Sequence, residues 1–438
     1  MNTVVRNGHK QVWLVLFLII FILTSFKLIF NDVTIDFSMY YESVHSSLEG
    51  VHERGYMNKG FTYMPFSYLM LHVYGLLSLK AARLLHHVVE AGSLMLACFM
   101  LLELALEKEE YIPYLMGATL LLSIRFILYN FNYGQMNVII FSSIVAGLYF
   151  FHKEKDLLAA LFMVIAISFK LTPVIFILYF LLKKEFRLVL WTIIMLALLN
   201  FILPLFFWGI KEAIGVYSAW YASLFTLGNI YAAKVTNYSL ISLLYRFFTD
   251  LSWGEKYVPV NIAALPYGFV TAAYALCAVI SLFVFIILFG RPAKQLKADN
   301  PGKNLFTVML PEYSAVVILM LLFSPISWQH HFVLLLIPNY YIVYFFLKHG
   351  IKKNMPVFVP AVLAFIMIDL SARFITGKVL CRILMNNSVI TFGTVLLLIA
   401  VFISHGCGAP PRQIGLPSNA FIHGQIRGFL RRRVKERE

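Results

Sequence analysis

Asp36, in the run Asp36-Phe37-Ser38-Met39-Tyr40, lies about five residues beyond the end of the first long apolar block. An isolated carboxylate there is either an ordinary loop charge or helix cap, or a general base whose partial desolvation raises its pKa toward a working value. Asp32, at the exit of the block, is the weaker candidate. Lys170 has apolar neighbours on both sides. In hydrocarbon an ammonium costs roughly 2.5–3.5 kcal/mol on insertion scales, so it needs water, a partner or a short path out. One reading is snorkelling to the nearer surface. The other couples it to the following helix, with Thr172 and Pro173 as N-cap and N1. Free backbone N–H groups beside the ammonium would then make an anion site, with phosphate its natural guest. Trp328, His330 and His331 stand between two apolar blocks, as interfacial anchors or as phosphate donors and proton shuttles. Gly134-Gln135-Met136-Asn137 offers amides to a hydroxyl-bearing ligand, or is a tight turn that satisfies its own backbone. Asn237-Tyr238-Ser239-Leu240, with Arg246 after it, binds either a ligand or a neighbouring loop.

These residues need a scaffold, and composition dictates its class. Apolar residues make up 61% of the 438, and charged residues 13%; the mean hydropathy is +0.80. A soluble domain carries roughly 25% charged residues, so this composition cannot supply a water-facing surface. About 20 apolar residues cross a hydrocarbon core at 1.5 Å per residue, and residues 11–30 and 265–290 do so without interruption. The formal charge of +15 lies mostly in short loops between apolar blocks, the positive-inside pattern, which speaks against a nucleic-acid partner. The run Arg431-Arg432-Arg433 with Lys435 and Arg437 either fixes topology or meets an anionic leaflet. Cys98, Cys277, Cys381 and Cys407 lack metal-ligand spacing. The first block is followed by no small-residue cleavage site and reads as an uncleaved helix.

The basic loops agree on one topology. Arg6 and Lys10 place the N-terminus in the cytoplasm, and further spans follow near residues 84–106, 114–129, 136–151, 188–208, 265–290, 306–323, 356–374 and 389–404, with another ending at Lys348. Parity makes residues 61–79 a surface or re-entrant piece. The expectation is an all-α polytopic membrane protein with about 12 transmembrane helices, some short or broken. It forms one transmembrane domain over residues 1–404, with extracytoplasmic loops at 32–83 and 209–259 and a basic cytoplasmic tail at 405–438. The cell membrane is the expected location, with both termini cytoplasmic. One stretch breaks the rhythm: only 26 residues, 157–182, separate two charged loops of the same sidedness. Residues 157–169 as helix would reach about 20 Å, so two short helices must meet beneath the outer surface, and their junction at Lys170 lines a cavity. Asp36, Lys170, the two histidines and the amides all fall on the extracytoplasmic face.

With these residues in order the sequence resembles glycosyltransferase family 87, of the GT-C superfamily. The resemblance rests on Asp36-Phe37 with Tyr40, Phe61-Thr62-Tyr63-Met64-Pro65, Gly134-Gln135-Met136-Asn137, Lys170 through Pro173, Asn237 through Leu240, and Ser324-Pro325-Ile326-Ser327-Trp328 with His330 and His331. These motifs cover roughly residues 30–350. The resemblance implies an inverting transfer of mannose or another sugar from a polyprenyl-phosphate donor to a glycolipid or glycan acceptor, within membrane lipid. Asp36 would be the base, and Lys170, His330 and His331 would hold the departing phosphate. Tyr40, Tyr63, Gln135, Asn137, Asn237 and Trp328 would contact substrate. A lone carboxylate with no acidic partner beside it argues against an obligatory divalent metal, and no other cofactor is implied.

Two competing readings make different demands. A transporter or flippase of a lipid-linked or anionic solute also uses broken helices and a buried lysine. It would place polar groups at mid-membrane, whereas acids inside the spans are few here: Glu90, Glu103 and Asp369. A protein O-mannosylating branch of the same superfamily often carries an Asp-Glu pair in the first loop, absent at Asp36-Phe37.

Overall fold

A computed structural model describes residues 12–30, 35–48, 62–105, 112–231, 234–250 and 260–408. Arg6, Lys10, Asp32, Phe61, the 107–110 loop, residues 251–259 and the basic run at 431–437 lie outside the described residues. Every regular element among the described residues is helical. This is what a lipid solvent demands of a single chain segment, because a helix pairs its backbone groups internally. The protein is an all-α polytopic membrane protein.

Among the described residues seven helices are long and apolar enough to cross a membrane, or eight if the bent pair Met355–Ile368 and Arg373–Asn386 counts as one span. Four shorter apolar helices, Trp13–Phe26, Asn137–His152, Asp156–Phe169 and Thr172–Leu182, accompany them. The sequence expectation of about 12 crossings counted these pieces as well; a 14-residue helix reaches only about 21 Å. The span expected at residues 356–374 is also corrected. It ends at Ile368, the axis turns by 86°, and a separate helix begins at Arg373. Arg125 fixes that corner: its guanidinium donates to the Ile368 carbonyl and, at 3.0 Å, to Ser371 Oγ. With its amide oxygen turned toward the guanidinium, Gln329 accepts from Arg125 Nε at 2.8 Å.

The break expected near Lys170 is present. The helix Asp156–Phe169 ends at Lys170 in extended conformation (φ −159°, ψ 129°), a 3-10 turn spans Thr172–Val174, and the helix Ile175–Leu182 returns. Pro173 explains the interruption, since it lacks an N–H and disfavours helix in the residue before it. The expected cap is not formed. Leu171 occupies the N-cap position, Thr172 lies within the turn, and no side chain caps it.

The open end is bolted to the segment after residue 61. The Ser168 carbonyl accepts from Met64 N–H at 2.9 Å and from Ser67 Oγ at 2.8 Å. Ser168 Oγ accepts from Asn200 Nδ2 at 2.9 Å, and Asn200 Oδ1 accepts from Phe66 N–H at 3.3 Å. Asn200 belongs to a π turn, Leu198–Ile202, an interruption that often marks a functional position. The adjoining helix Leu203–Tyr231 kinks at Gly209 (φ 73°), a conformation that costs other residues far more. Its Trp220 Nε1 donates to the Thr62 carbonyl at 3.1 Å. The helix Pro65–Gly75, with 11 residues, would reach about 16 Å, too short to cross.

At the far end of the broken pair Lys183 opens the charged loop that follows residue 182, yet it is 1% exposed and pairs with Glu312 at 2.5 Å. Glu312, an acid the sequence reading passed over, also accepts from the Tyr179 hydroxyl at 2.6 Å, while Lys183 Nζ donates to the Phe289 carbonyl at 2.6 Å. Removing one partner of such a pair strands the other, so Lys183→Met should lower stability by roughly 3–5 kcal/mol. Thermal unfolding in detergent reads this as an earlier transition. Adding Glu312→Leu should recover most of the loss, and a single variant as stable as the parent would refute the pair's role.

Candidate active site

The site is built from four places in the chain, and Gln135 joins two of them. Asp36 lies in the first turn of the helix Ile35–Leu48, where a carboxylate is favoured by the helix dipole. Gln135 sits in the turn between the helices Ile112–Tyr133 and Asn137–His152. Gln135 Nε2 donates to Asp36 Oδ2. Gln135 Oε1 accepts from the Tyr40 hydroxyl at 2.9 Å and from Asn137 Nδ2 at 3.4 Å. Gly134 makes the approach possible: its φ is +63°, and a Cβ there would come within 2.6 Å of Phe37 Cβ.

The Tyr40 and Tyr63 rings lie 5.2 Å apart and their hydroxyls hydrogen-bond. Because Tyr40 donates its one proton to Gln135, Tyr63 must donate to Tyr40. Donation therefore runs Tyr63 to Tyr40 to Gln135 to Asp36. This chain keeps Asp36 Oδ2 an acceptor and leaves the other carboxylate oxygen for a substrate proton. Burial pushes the Asp36 carboxyl above the usual aspartate range, and the hydrogen bond from Gln135 pulls it partly back.

Tyr63 also links the acid to the broken helix pair, since its ring meets the edge of Phe169 at 5.7 Å. Next in the chain is Lys170, whose charge reaches the rings of both His330 and His331. Those rings lie 4.4 Å apart at 80°, and Trp328 stacks on His331 at 6.3 Å. Trp328 N–H donates to His331 Nδ1 at 3.0 Å, so the neutral His331 ring carries its proton on Nε2. Asn130 Nδ2 holds the His330 carbonyl at 2.8 Å.

Asn237 supports the loop beneath these histidines. Its Nδ2 donates to the Pro325 carbonyl at 2.9 Å, and its Oδ1 accepts from Ser327 N–H at 2.8 Å and Ser239 N–H at 3.1 Å. Arg246, 1% exposed, donates to Ser388 Oγ and to the carbonyls of Lys234 and Val235. These contacts join the stretch to neighbouring segments of the chain. Among the described residues no three His, Cys, Asp or Glu side chains converge as metal ligands would.

Two tyrosines escaped the sequence reading. Tyr129 and Tyr133 stack at 4.3 Å, and Tyr129 lies 6.2 Å from the His330 ring and within electrostatic reach of Asp36. The signal was available in their spacing, one helical turn apart at the end of an apolar helix that runs into Gly134.

The site thus places an acid, a lysine and two histidines around one tyrosine-lined wall. The family model of glycosyltransferase family 87 matches residues 61–325, more than half of the 438. No curated protein and no solved structure matches the chain. The matched range holds Tyr63, Gln135, Asn137, Lys170 and Asn237, while Asp36, Tyr40, Trp328 and the two histidines flank it. On the extent of that match the chain belongs to glycosyltransferase family 87, and it is a membrane glycosyltransferase.

Proposed function

We propose that this enzyme moves a sugar from a polyprenyl-phosphate donor to a hydroxyl of a glycolipid or glycan acceptor, in one inverting step, on the extracytoplasmic face. The observation that carries the reading is the tyrosine wall, Tyr40 and Tyr63, which joins Asp36 to the Lys170 break through Phe169. Asp36 takes the proton of the acceptor hydroxyl. The hydroxyl oxygen bonds to the anomeric carbon while the bond from that carbon to the phosphate oxygen breaks. The electron pair leaves with the phosphate, and Lys170 with the imidazoles of His330 and His331 meets the growing charge. Gln135 serves as a positioning residue for Asp36. The lipid tail would run between helices, which places the phosphate at membrane depth. Membership of a transferase family favours transfer over transport, where the same broken helices would serve passage of a solute.

Incubating the purified protein with a panel of polyprenyl-phosphate sugars should release free polyprenyl phosphate for one of them. Asp36→Asn should lower that rate about 10²–10⁴-fold with donor binding intact, and normal turnover by the variant would remove Asp36 from the role. Since Asp36 must be ionised to accept a proton and its pKa is raised by burial, kcat/KM should fall with falling pH at a higher pH than an ordinary aspartate dictates. Gln135→Leu, which deletes the bond that lowers this pKa, should move the acid limb higher still.

Lys170→Ala should weaken donor binding about 10- to 100-fold, the worth of roughly 1.5–3 kcal/mol for a charge-assisted hydrogen bond. Donor affinity equal to that of the parent would identify the lysine as one that merely snorkels.

A further inference from the structure

Behind the Asp36 helix lie two titratable side chains that the transfer step does not use. His86 and Glu90 stand one turn apart on the helix Leu79–Ala105 and are 2% and 0% exposed. His86 Nε2 is 3.5 Å from Glu90 Oε2, and His86 Nδ1 is 3.2 Å from the Tyr74 hydroxyl. Among the described residues neither Glu90 oxygen has a hydrogen-bond partner, so His86 is the group that the structure sets against this acid. A buried acid is costly without a partner, and a leucine would fill the same space at less cost.

The His86 ring leads straight to the base. It stacks on Phe37 at 4.9 Å with the planes 25° apart, and Tyr74 closes on the same ring edge-on at 5.3 Å. His86 also lies against the backbone of Gly134 and Gln135. Phe37 Cβ is pressed on Gly134, and the His86 ring reaches the same glycine. Phe37, the residue next to Asp36, therefore packs on both His86 and the turn that carries Gln135.

We propose that His86 and Glu90 are a positioning pair for Asp36. Glu90 fixes the His86 ring, and the ring holds Phe37 against the Gly134-Gln135 turn. Asp36 Oδ2 thereby meets Gln135 Nε2. For its effect on rate the inference rests on the reading of Asp36 as base; its effect on geometry stands independently. A misplacement of about 1 Å can cost as much as 10²-fold in rate.

The test uses the full chain in lipid nanodiscs, with Glu90→Leu, Glu90→Gln, His86→Gln and Asp36→Asn beside the parent. The first readout is the rate of carbodiimide labelling at Asp36, followed by peptide mass spectrometry; the second is kcat and donor KM. Glu90→Leu should raise the labelling of Asp36 several-fold and lower kcat about tenfold with donor KM unchanged. Glu90→Gln, which keeps the side chain's shape and sets a polar amide against His86, should stay near the parent in both. His86→Gln should behave as Glu90→Leu does, and it carries the test if the leucine variant fails to fold. Labelling equal to the parent in the folded variants overturns the inference whatever the activity. Raised labelling together with full turnover by Asp36→Asn leaves the pair as a geometric device and removes the base reading instead.

Discussion

A backbone carbonyl at the end of a broken helix cannot face hydrocarbon unpaired, and the rest of the site follows from how Ser168 meets that constraint. Its carbonyl accepts from Met64 N–H and Ser67 Oγ, donors supplied by a segment about a hundred residues earlier in the chain. Leaving such a group unsatisfied in lipid costs several kcal/mol. The break at Lys170 therefore exists only with the 62–75 segment docked onto it. That docking brings Tyr63, the neighbour of Met64, onto Phe169. One hydrogen-bonding requirement thus opens the lysine to the interior and places beside it the tyrosine that leads to the acid.

From there the polar groups form a directed system. The hydroxyls of Tyr63 and Tyr40 and the amide of Gln135 each donate toward Asp36. In a poorly hydrated site such an arrangement keeps the carboxylate oriented without bulk water, and orientation of this kind is a large share of what an active site contributes. Gly134 is the permissive element: the close approach of its backbone to Phe37 leaves no room for a side chain. Beside the Lys170 break, the backbone of Trp328 sets the His331 tautomer, and Asn237 fixes the loop that Trp328 ends. The lysine and the two imidazoles stand together, and the carboxylate is met by phenols and an amide.

Much of this was legible in the sequence because lipid simplifies the code. Apolar blocks and basic loops marked most of the helices to within a few residues, though the helix Leu203–Tyr231 runs well into the stretch read as a loop, and the 26-residue interval with Lys170 and Pro173 at its centre announced a break. What stayed hidden depends on partners far apart in the chain. Lys183 reads as a loop charge until Glu312 meets it in space. Gln135 reads as a ligand amide until Asp36, Tyr40 and Asn137 are seen around it. Thr172 has the residue type of a cap, yet the chain enters the turn one residue earlier and tightens to 3-10 geometry. The bend between Ile368 and Arg373 escaped because it needs Arg125, from a helix more than two hundred residues away, to hold the corner.

The account stands on a direct displacement at the anomeric carbon, with base and departing phosphate on opposite sides of the sugar. The anomeric configuration of the product, read by NMR of the sugar released onto a hydroxyl acceptor, tests that most directly. A product of inverted configuration, formed with one equivalent of polyprenyl phosphate, is the predicted result; retention of configuration would contradict the account.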